Sequence, residues 1–439
     1  MKVLIVGSGG REHALAWRLG QSPQLSKLWV ASGNAGTAQI ATNIDVIPED
    51  VDGVVTAAQS LGIDLVVVGP EVPLATGLVD RLDSLGIPAF GPTQTAARIE
   101  ASKGFAREVM REAGIPGPEF EIFHDQQQAL DFLRRHHGPV VVKADGLAAG
   151  KGVALCSGAE EATIAVMACM SDRIYGAAGE TVVIEELLSG PEVSVFALSD
   201  GERLSEPVAA CDYKRLGDGD SGPNTGGMGS FAPPDFWSES LAEEVMRTIV
   251  RPTIESMARL GIPYRGVLYA GIMLTREGPK VLEFNCRFGD PEAQVILPLL
   301  ESDPIVGMMA CAQGRLSQGM VRWNRKPHVG VVMTSEGYPS RYETGHQITG
   351  LDAEERDSVV FHAGTRLDSS NGNPRVVTSS GRVLTVVGWG DSLGDARANA
   401  YRRIAKINFP GAYYRSDVGN PRIQEEEWAW LPDPAARTS

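Results

Sequence analysis

The sequence predicts an α/β protein: an N-terminal open parallel-sheet domain, a central domain carrying a small mobile lid subdomain, and a C-terminal small α/β domain. Three observations predict it. Residues 1–100 alternate short apolar runs with helical stretches, the pattern of right-handed βαβ units on a parallel sheet. A small strand-and-helix unit then lies between two glycine- and proline-rich joints, Gly114-Ile115-Pro116-Gly117-Pro118 and Ser189-Gly190-Pro191. From 327 the texture changes to short strands with one helix. A chain of 439 residues agrees with this, at roughly 150 residues per domain. The expected divisions are 1–101, 102–326 with the lid at about 119–188, 327–419, and a loosely ordered tail, 420–439.

Element by element, the first domain offers strands at 2–6, 27–31, 64–69 and 88–91, with helices near 12–20, 50–61 and 74–85. Glycine-rich turns follow the strand ends, and in open α/β sheets the ligand crevice lies at those carboxyl ends. Helix 102–113 leads to the lid: a strand near 119–123, helix 126–136, a hairpin, helix 159–170 and strand 181–188. Long strands at 191–199 and 203–214, a glycine-rich loop at 217–229 and a long helix at 239–260 come next. Strands 266–275 and 280–288 are joined by Arg276-Glu277-Gly278-Pro279, a hairpin turn. The last domain has strands at 328–333, 359–363 and 383–388 and a helix near 392–407.

Composition narrows the function. Hydrophobic residues at 43% and charged residues at 22% are those of a globular protein, and 50 glycines gathered in loops suit a ligand-handling enzyme. A net charge of −15 argues against nucleic-acid or anionic-membrane partners, so a phosphorylated ligand must be held by local donors. No apolar run approaches a membrane span. Five cysteines without a CxxC pair read as reduced thiols, which points to the cytoplasm.

The segment Val140-Val141-Val142-Lys143-Ala144-Asp145-Gly146-Leu147-Ala148-Ala149-Gly150-Lys151-Gly152-Val153 carries two lysines in a loop of small residues between two strands. Such a loop can close backbone N–H groups around phosphate oxygens while lysines neutralise them. It is not the common nucleoside-triphosphate loop: three residues separate Gly146 from Gly150 where that motif needs four, and Gly152 stands where Ser or Thr would hold magnesium. A phosphate-covering hairpin and an ordinary hairpin with a solvated lysine both remain open. Gly7-Ser8-Gly9-Gly10-Arg11-Glu12 presents donors at a helix start but has Glu12 where a dinucleotide fingerprint needs glycine. A phosphate-monoester site and tight strand–helix packing are its two readings.

The strand Val281-Leu282-Glu283-Phe284-Asn285-Cys286-Arg287-Phe288 is sharper. With a period of two, Glu283, Asn285 and Arg287 share one face, a carboxylate, an amide oxygen and a guanidinium suited to magnesium bridging phosphates. The bland alternative is a half-exposed strand with a Glu–Arg pair; the intervening Asn and the following Gly289-Asp290-Pro291-Glu292 favour function. Val182 to Glu186, continuing to Leu188 and Glu192, ends a buried strand with acids, either a purine and ribose site or a strand emerging into water. Asp212-Tyr213-Lys214-Arg215 and the dense run Ser221-Gly222-Pro223-Asn224-Thr225-Gly226-Gly227-Met228-Gly229 form a functional loop or a mobile surface one.

Together these segments resemble the ATP-grasp superfamily and, within it, the phosphoribosylamine–glycine ligases of purine synthesis, from 1 to about 419. The most specific motifs are 223–229 and 283–292. The resemblance implies a central ATP-grasp fold and a reaction joining glycine to 5-phosphoribosylamine at the expense of ATP, with Mg²⁺ or Mn²⁺. It also implies roles. Lys103, Lys143, Gly146, Gly150, Lys151 and Gly152 would meet ATP phosphates; Glu185, Glu186 and Leu188 the adenine; Glu192 the ribose; and Glu283 and Asn285 the metal. Arg287 would stabilise the transferring phosphoryl group, with Asp212, Lys214 and Asp290 on the glycine side. Gly9, Gly10, Arg11, Glu12, Gly33, Asn34, Gly36, Thr37, Pro70 and Glu71 would hold phosphoribosylamine, and Asn224, Thr225 and Gly226 an acceptor substrate. Strand 266–275 lacks the carboxylate that the wider superfamily uses as a further metal ligand. The expected assembly is a monomer or weak homodimer. Rival readings are another purine-pathway ATP-grasp ligase, a nicotinamide-dependent dehydrogenase, disfavoured by the missing glycine and ribose acid, and a nucleotide-sensing module without turnover, disfavoured by the intact metal face.

Overall fold

The computed structural model describes residues 1–148, 152–353, 355–370 and 372–420. The N-terminal sheet is parallel, in the order Thr42–Ile44, Lys27–Ser32, Lys2–Gly7, Leu65–Val68, Ala89–Phe90. Helices cover both faces, which is why Val3 to Val6 read as an unbroken apolar run and are fully buried. The edge strand Thr42–Ile44 was not legible: it is short and its polar residues carry no apolar pattern. The expected helix 74–85 is two, Glu71–Ala75 and Leu78–Ser84, parted at Gly77, whose φ of +86° suits a residue without Cβ.

The body is an eight-stranded antiparallel sheet: Gly278–Asn285, Arg265–Thr275, Glu192–Asp200, Val208–Asp212, Gly229–Ala232, His328–Thr334, Arg382–Trp389 and Ser358–His362. It continues across residue 327, because Gly229–Ala232 pairs with His328–Thr334. The expected strand at 203–214 is confined to Val208–Asp212. Its first half turns instead around the Asp200 carboxylate, which accepts the N–H groups of Glu202 and Arg203, and Pro207 has no N–H to pair. The long helix runs from Glu239 to Arg259 with a π-type turn at Met246–Val250. Two short ribbons, Arg215–Gly217 with Ser221–Asn224 and Thr365–Asp368 with Arg375–Thr378, fill stretches read as loop.

The lid is a four-stranded antiparallel sheet, Phe120–Phe123, Val182–Glu186, Val140–Ala144 and Val153–Cys156, backed by helices Gln126–Arg135 and Ala159–Met170. It buries a core of its own, including Leu133, Val142, Val166, Val182 and Ile184. The five cysteines are buried and form no disulfide among the described residues, and no helix among them is long and apolar enough to cross a membrane.

Candidate active site

A cavity of about 370 Å³ opens where the N-terminal sheet, the lid, the body and the C-terminal strands converge. Of the sequence-predicted residues, Arg11, Glu71, Lys103, Lys143, Gly146, Gly152, Glu185, Gly226, Glu283, Asn285, Arg287 and Asp290 line it.

At the lid end, Glu185 is buried and bound by two cations. It accepts from Arg107 Nε at 2.6 Å and NH2 at 2.8 Å, and pairs with Lys143 Nζ at 2.7 Å. Burial pushes the Glu185 carboxyl up, but Lys143 and Arg107 outweigh that and hold it below the ordinary carboxylate range. Both cations also donate to the carbonyl of Leu282. That carbonyl is available because the ladder slips by one residue there: Gly271 pairs with Glu283 and Ile272 with Val281, so Leu282 bulges. Lys103 opens the helix Lys103–Ala113 and donates to the Gly146 carbonyl, while Asp145 accepts from Gly104 N and Ser102 Oγ. One carboxylate thus fixes the strand end to the helix start. Glu186 is exposed on the opposite face of its strand, and neither it nor Leu188 lines the cavity. Gly150 and Lys151 lie outside the described residues.

In the middle stands Glu283. Its carboxylate is exposed to the cavity and makes no hydrogen bond or ion pair with any described residue, yet Lys214, Lys143, Lys103 and Arg287 lie near it; the crowding protein pushes its pKa up and these cations outweigh that, so it stays ionised. Asn285 Oδ1 lies beside it on the strand and accepts from Arg287 NH2 at 3.1 Å. Gly271 occupies the cross-strand position, and the described residues contain no group of three His, Cys, Asp or Glu side chains able to hold a metal. One free carboxylate and one amide oxygen fit Mg²⁺, which keeps waters and takes phosphate oxygens rather than a full protein cage.

Arg287 is bound on every nitrogen: Nε to Glu71 at 3.2 Å, NH2 to Glu100 at 3.0 Å as well as to Asn285, and NH1 to the Phe288 carbonyl. Burial opposes its charge, but Glu100 and Glu71 raise its pKa above the ordinary guanidinium value. At the far end, Asp290 gathers Arg11 N at 3.2 Å, Gln294 Nε2 at 2.9 Å and Arg382 NH1 at 3.4 Å.

Other predicted residues act behind the cavity wall. Glu12 closes a capping box on Gly9 N and pairs with Arg11, and Gly69 leaves it room, since a Cβ there would lie 2.1 Å from Glu12 Oε1. Gly10 packs on Gln294 and Gly36 on His13 at distances that exclude a side chain. Asn34 donates to the Ser8 and His362 carbonyls and accepts from Gly36 and Thr37, while the Thr37 hydroxyl bonds Asn34 and Asn43. Gly33 adopts φ +74° in that turn, and Pro70 caps the helix that begins with Glu71. Lys214 pairs with Glu192, and Thr225 bonds the Lys214 carbonyl, with Asn224 exposed beside it. Burial pushes the neighbouring Asp212 carboxyl up to about 7; Lys214 opposes this, and Glu292 and Glu192 add to it.

Three cavity or support residues carried no sequence signal, Arg107, Glu100 and Arg382, and Asp145 stood in the 140–153 segment without a role of its own. Each sits in an unremarkable helix, turn or strand and acquires its role only through chain-distant partners.

A lid and an antiparallel body closing on a cation-walled cavity with a free carboxylate define an ATP-grasp ligase. The chain matches the N domain of phosphoribosylglycinamide synthetase over residues 1–100, its ATP-grasp (A) domain over 101–293 and its C domain over 328–421. It is 48% identical to the phosphoribosylamine–glycine ligase of Nostoc sp., across 95% of this chain and 99% of that protein. It is 49% identical over 423 residues to the trifunctional purine biosynthetic protein adenosine-3 of Gallus gallus, of which it spans 42%. The crystal structure of the phosphoribosylamine–glycine ligase from Thermotoga maritima superposes with a TM-score of 0.81 at 32% identity, covering 95% of this chain and 100% of that one. The chain belongs to the phosphoribosylglycinamide synthetase family.

Proposed function

We propose that the protein joins glycine to 5-phosphoribosylamine, using ATP, to give glycinamide ribonucleotide, ADP and phosphate in de novo purine synthesis. The observation that carries this reading is one cavity with two ends: a lid end of lysines and small residues, and an acceptor end built from Arg11, Glu71 and Asp290. Lys103, Lys143 and the 146–152 loop serve the ATP phosphates, and the adenine and ribose extend past the cavity along the strand end 185–188 and Glu192. Glu283 and Asn285 would hold Mg²⁺ or Mn²⁺, which supplies charge neutralisation on the phosphates. The carboxylate of glycine attacks the γ-phosphorus, ADP leaves, and the resulting glycyl phosphate is attacked by the sugar's amine with loss of phosphate. No side chain need be a nucleophile, so these residues contribute positioning and charge stabilisation. The turns at 9–12, 33–37 and 70–71 shape the phosphoribosylamine site largely through backbone groups, since Glu12, Asn34 and Thr37 are internally bonded. Residues 119–188 close as a lid, because an acyl phosphate in open water would hydrolyse.

Glycine labelled with heavy oxygen in its carboxylate tests the route: one labelled oxygen should appear in the released phosphate. Unlabelled phosphate at full turnover would rule out the glycyl phosphate.

A further inference from the structure

The mechanism gives Arg382 no task. Arg382 opens the strand Arg382–Trp389 in the C-terminal part of the chain and reaches the acceptor end. Its NH1 group donates to the carbonyls of Gly226 and Asp290 and lies 3.4 Å from Asp290 Oδ1. Arg382 packs against Gly226, where a Cβ would stand 3.2 Å from Cζ and push the guanidinium back by a few tenths of an ångström. Its Nε and NH2 edge makes no hydrogen bond with any described residue. A guanidinium has five N–H donors, and NH1 accounts for two. Three donors are therefore left on a side chain that lines the cavity and is paired with Asp290 through NH1 alone.

Arg287, the other guanidinium at this end's border, is engaged by Glu71, Glu100, Asn285 and the Phe288 carbonyl, which leaves it at most one free donor. Arg11 keeps three donors, but its Nε is on Glu12 and its NH1 on the Phe288 carbonyl, so its Nε–NH2 edge is already taken. A carboxylate entering beside the Asn224–Gly226 turn thus meets Arg382 with its Nε–NH2 edge available. Bidentate guanidinium–carboxylate pairing needs two parallel N–H groups, and Nε with NH2 supplies them.

We infer that Arg382 binds the carboxylate of the amino-acid substrate through its Nε–NH2 edge, while NH1 fixes Asp290 and the Gly226 turn around it. This rests on the proposed ligase reaction. It gives the C-terminal domain a direct hand in substrate recognition.

The test is steady-state kinetics of Arg382→Gln and Arg382→Lys beside the unaltered enzyme, varying glycine, ATP and phosphoribosylamine in turn. Loss of a charge-assisted pair corresponds to about a tenfold to a hundredfold effect. Arg382→Gln should therefore raise the KM for glycine by that factor and leave the KM for ATP within about threefold. Arg382→Lys keeps the charge but not the fork, and should fall between. Added guanidinium ion should lower the glycine KM of Arg382→Gln. An unchanged glycine KM, or parallel increases for all three substrates with a lowered unfolding temperature, would overturn the inference in favour of a scaffolding role. If Arg382→Gln does not fold, the Arg382→Lys comparison decides alone. Absence of turnover by the unaltered enzyme would instead remove the ligase reading itself.

Discussion

Replacing Glu185 tests how the lid is held to the body. The carboxylate is 3% exposed and receives two bonds from Arg107 and one from Lys143. In Glu185→Ala the two cations keep no anionic partner bonded to them: Arg107 keeps the Val281 and Leu282 carbonyls and Met110 Sδ, and Lys143 keeps the Leu282 carbonyl. Uncompensated buried charge of this kind costs about 3–5 kcal/mol. Two features argue for that range: both cations stay buried, and neither has an alternative carboxylate bonded to it. Glu185→Gln keeps the shape and one acceptor and should lose less. Because the cost is the stranded charge, Arg107→Met with Glu185→Leu should lose less than Glu185→Ala alone. The folded carboxyl lies below its ordinary value of 4.5, so its contribution is present above that pH and lost as pH falls through the folded value. Urea unfolding at neutral pH and near pH 4, with amide exchange across the lid strands as a local readout, measures both effects. A loss under about 1 kcal/mol at neutral pH, the scale of an exposed pair, would refute the reasoning.

Glu283→Ala should cut kcat by roughly a hundredfold to a thousandfold, about 3–4 kcal/mol, with little change in unfolding, because its carboxylate bonds no described residue; near-normal activity in Mg²⁺ would remove it from the metal site. Mg–ATP should slow amide exchange across residues 140–148 and 152–156, and AMP, lacking the outer phosphates, should do so much less; equal protection by AMP would return the hairpin to an ordinary one. Asp212 keeps its proton to about pH 7, far above its ordinary 3.8, so its contribution to stability is full below 3.8 and lost as pH rises through 7. If its carboxylate serves the glycine side, kcat/KM for glycine climbs through pH 7, and Asp212→Asn should flatten that limb.

The fold was legible wherever burial imposes a period. Apolar runs such as Val3 to Val6 and Leu65 to Val68 announce parallel strands, and Val140 to Lys143 with Val153 announces the lid hairpin. Glu283 and Asn285 were legible because chemistry and strand alternation coincide on one short segment, although the bulge at Leu282 was not, since a ladder slip leaves no mark in a single strand. The roles of Arg107, Glu100, Asp145 and Arg382 were illegible for a different reason. Arg382 lies 156 residues from Gly226 and 92 from Asp290, and only the pairing of the C-terminal strands with Gly229–Ala232 brings them together. Conversely, Asn34 and Glu12 sit in turns that look like ligand motifs yet have their side chains bonded within the protein. A glycine-rich turn announces close approach, and sequence alone does not say whether a ligand or another strand approaches.

The central claim is that one cavity couples ATP cleavage to the joining of two acceptors. The most direct measurement is ADP release with glycine and phosphoribosylamine each omitted in turn, alongside quantitation of the amide product. Full turnover should require both, with one product formed per ADP released. Sustained ADP release with a different amino acid and no sugar phosphate, or with no acceptor at all, would contradict the account.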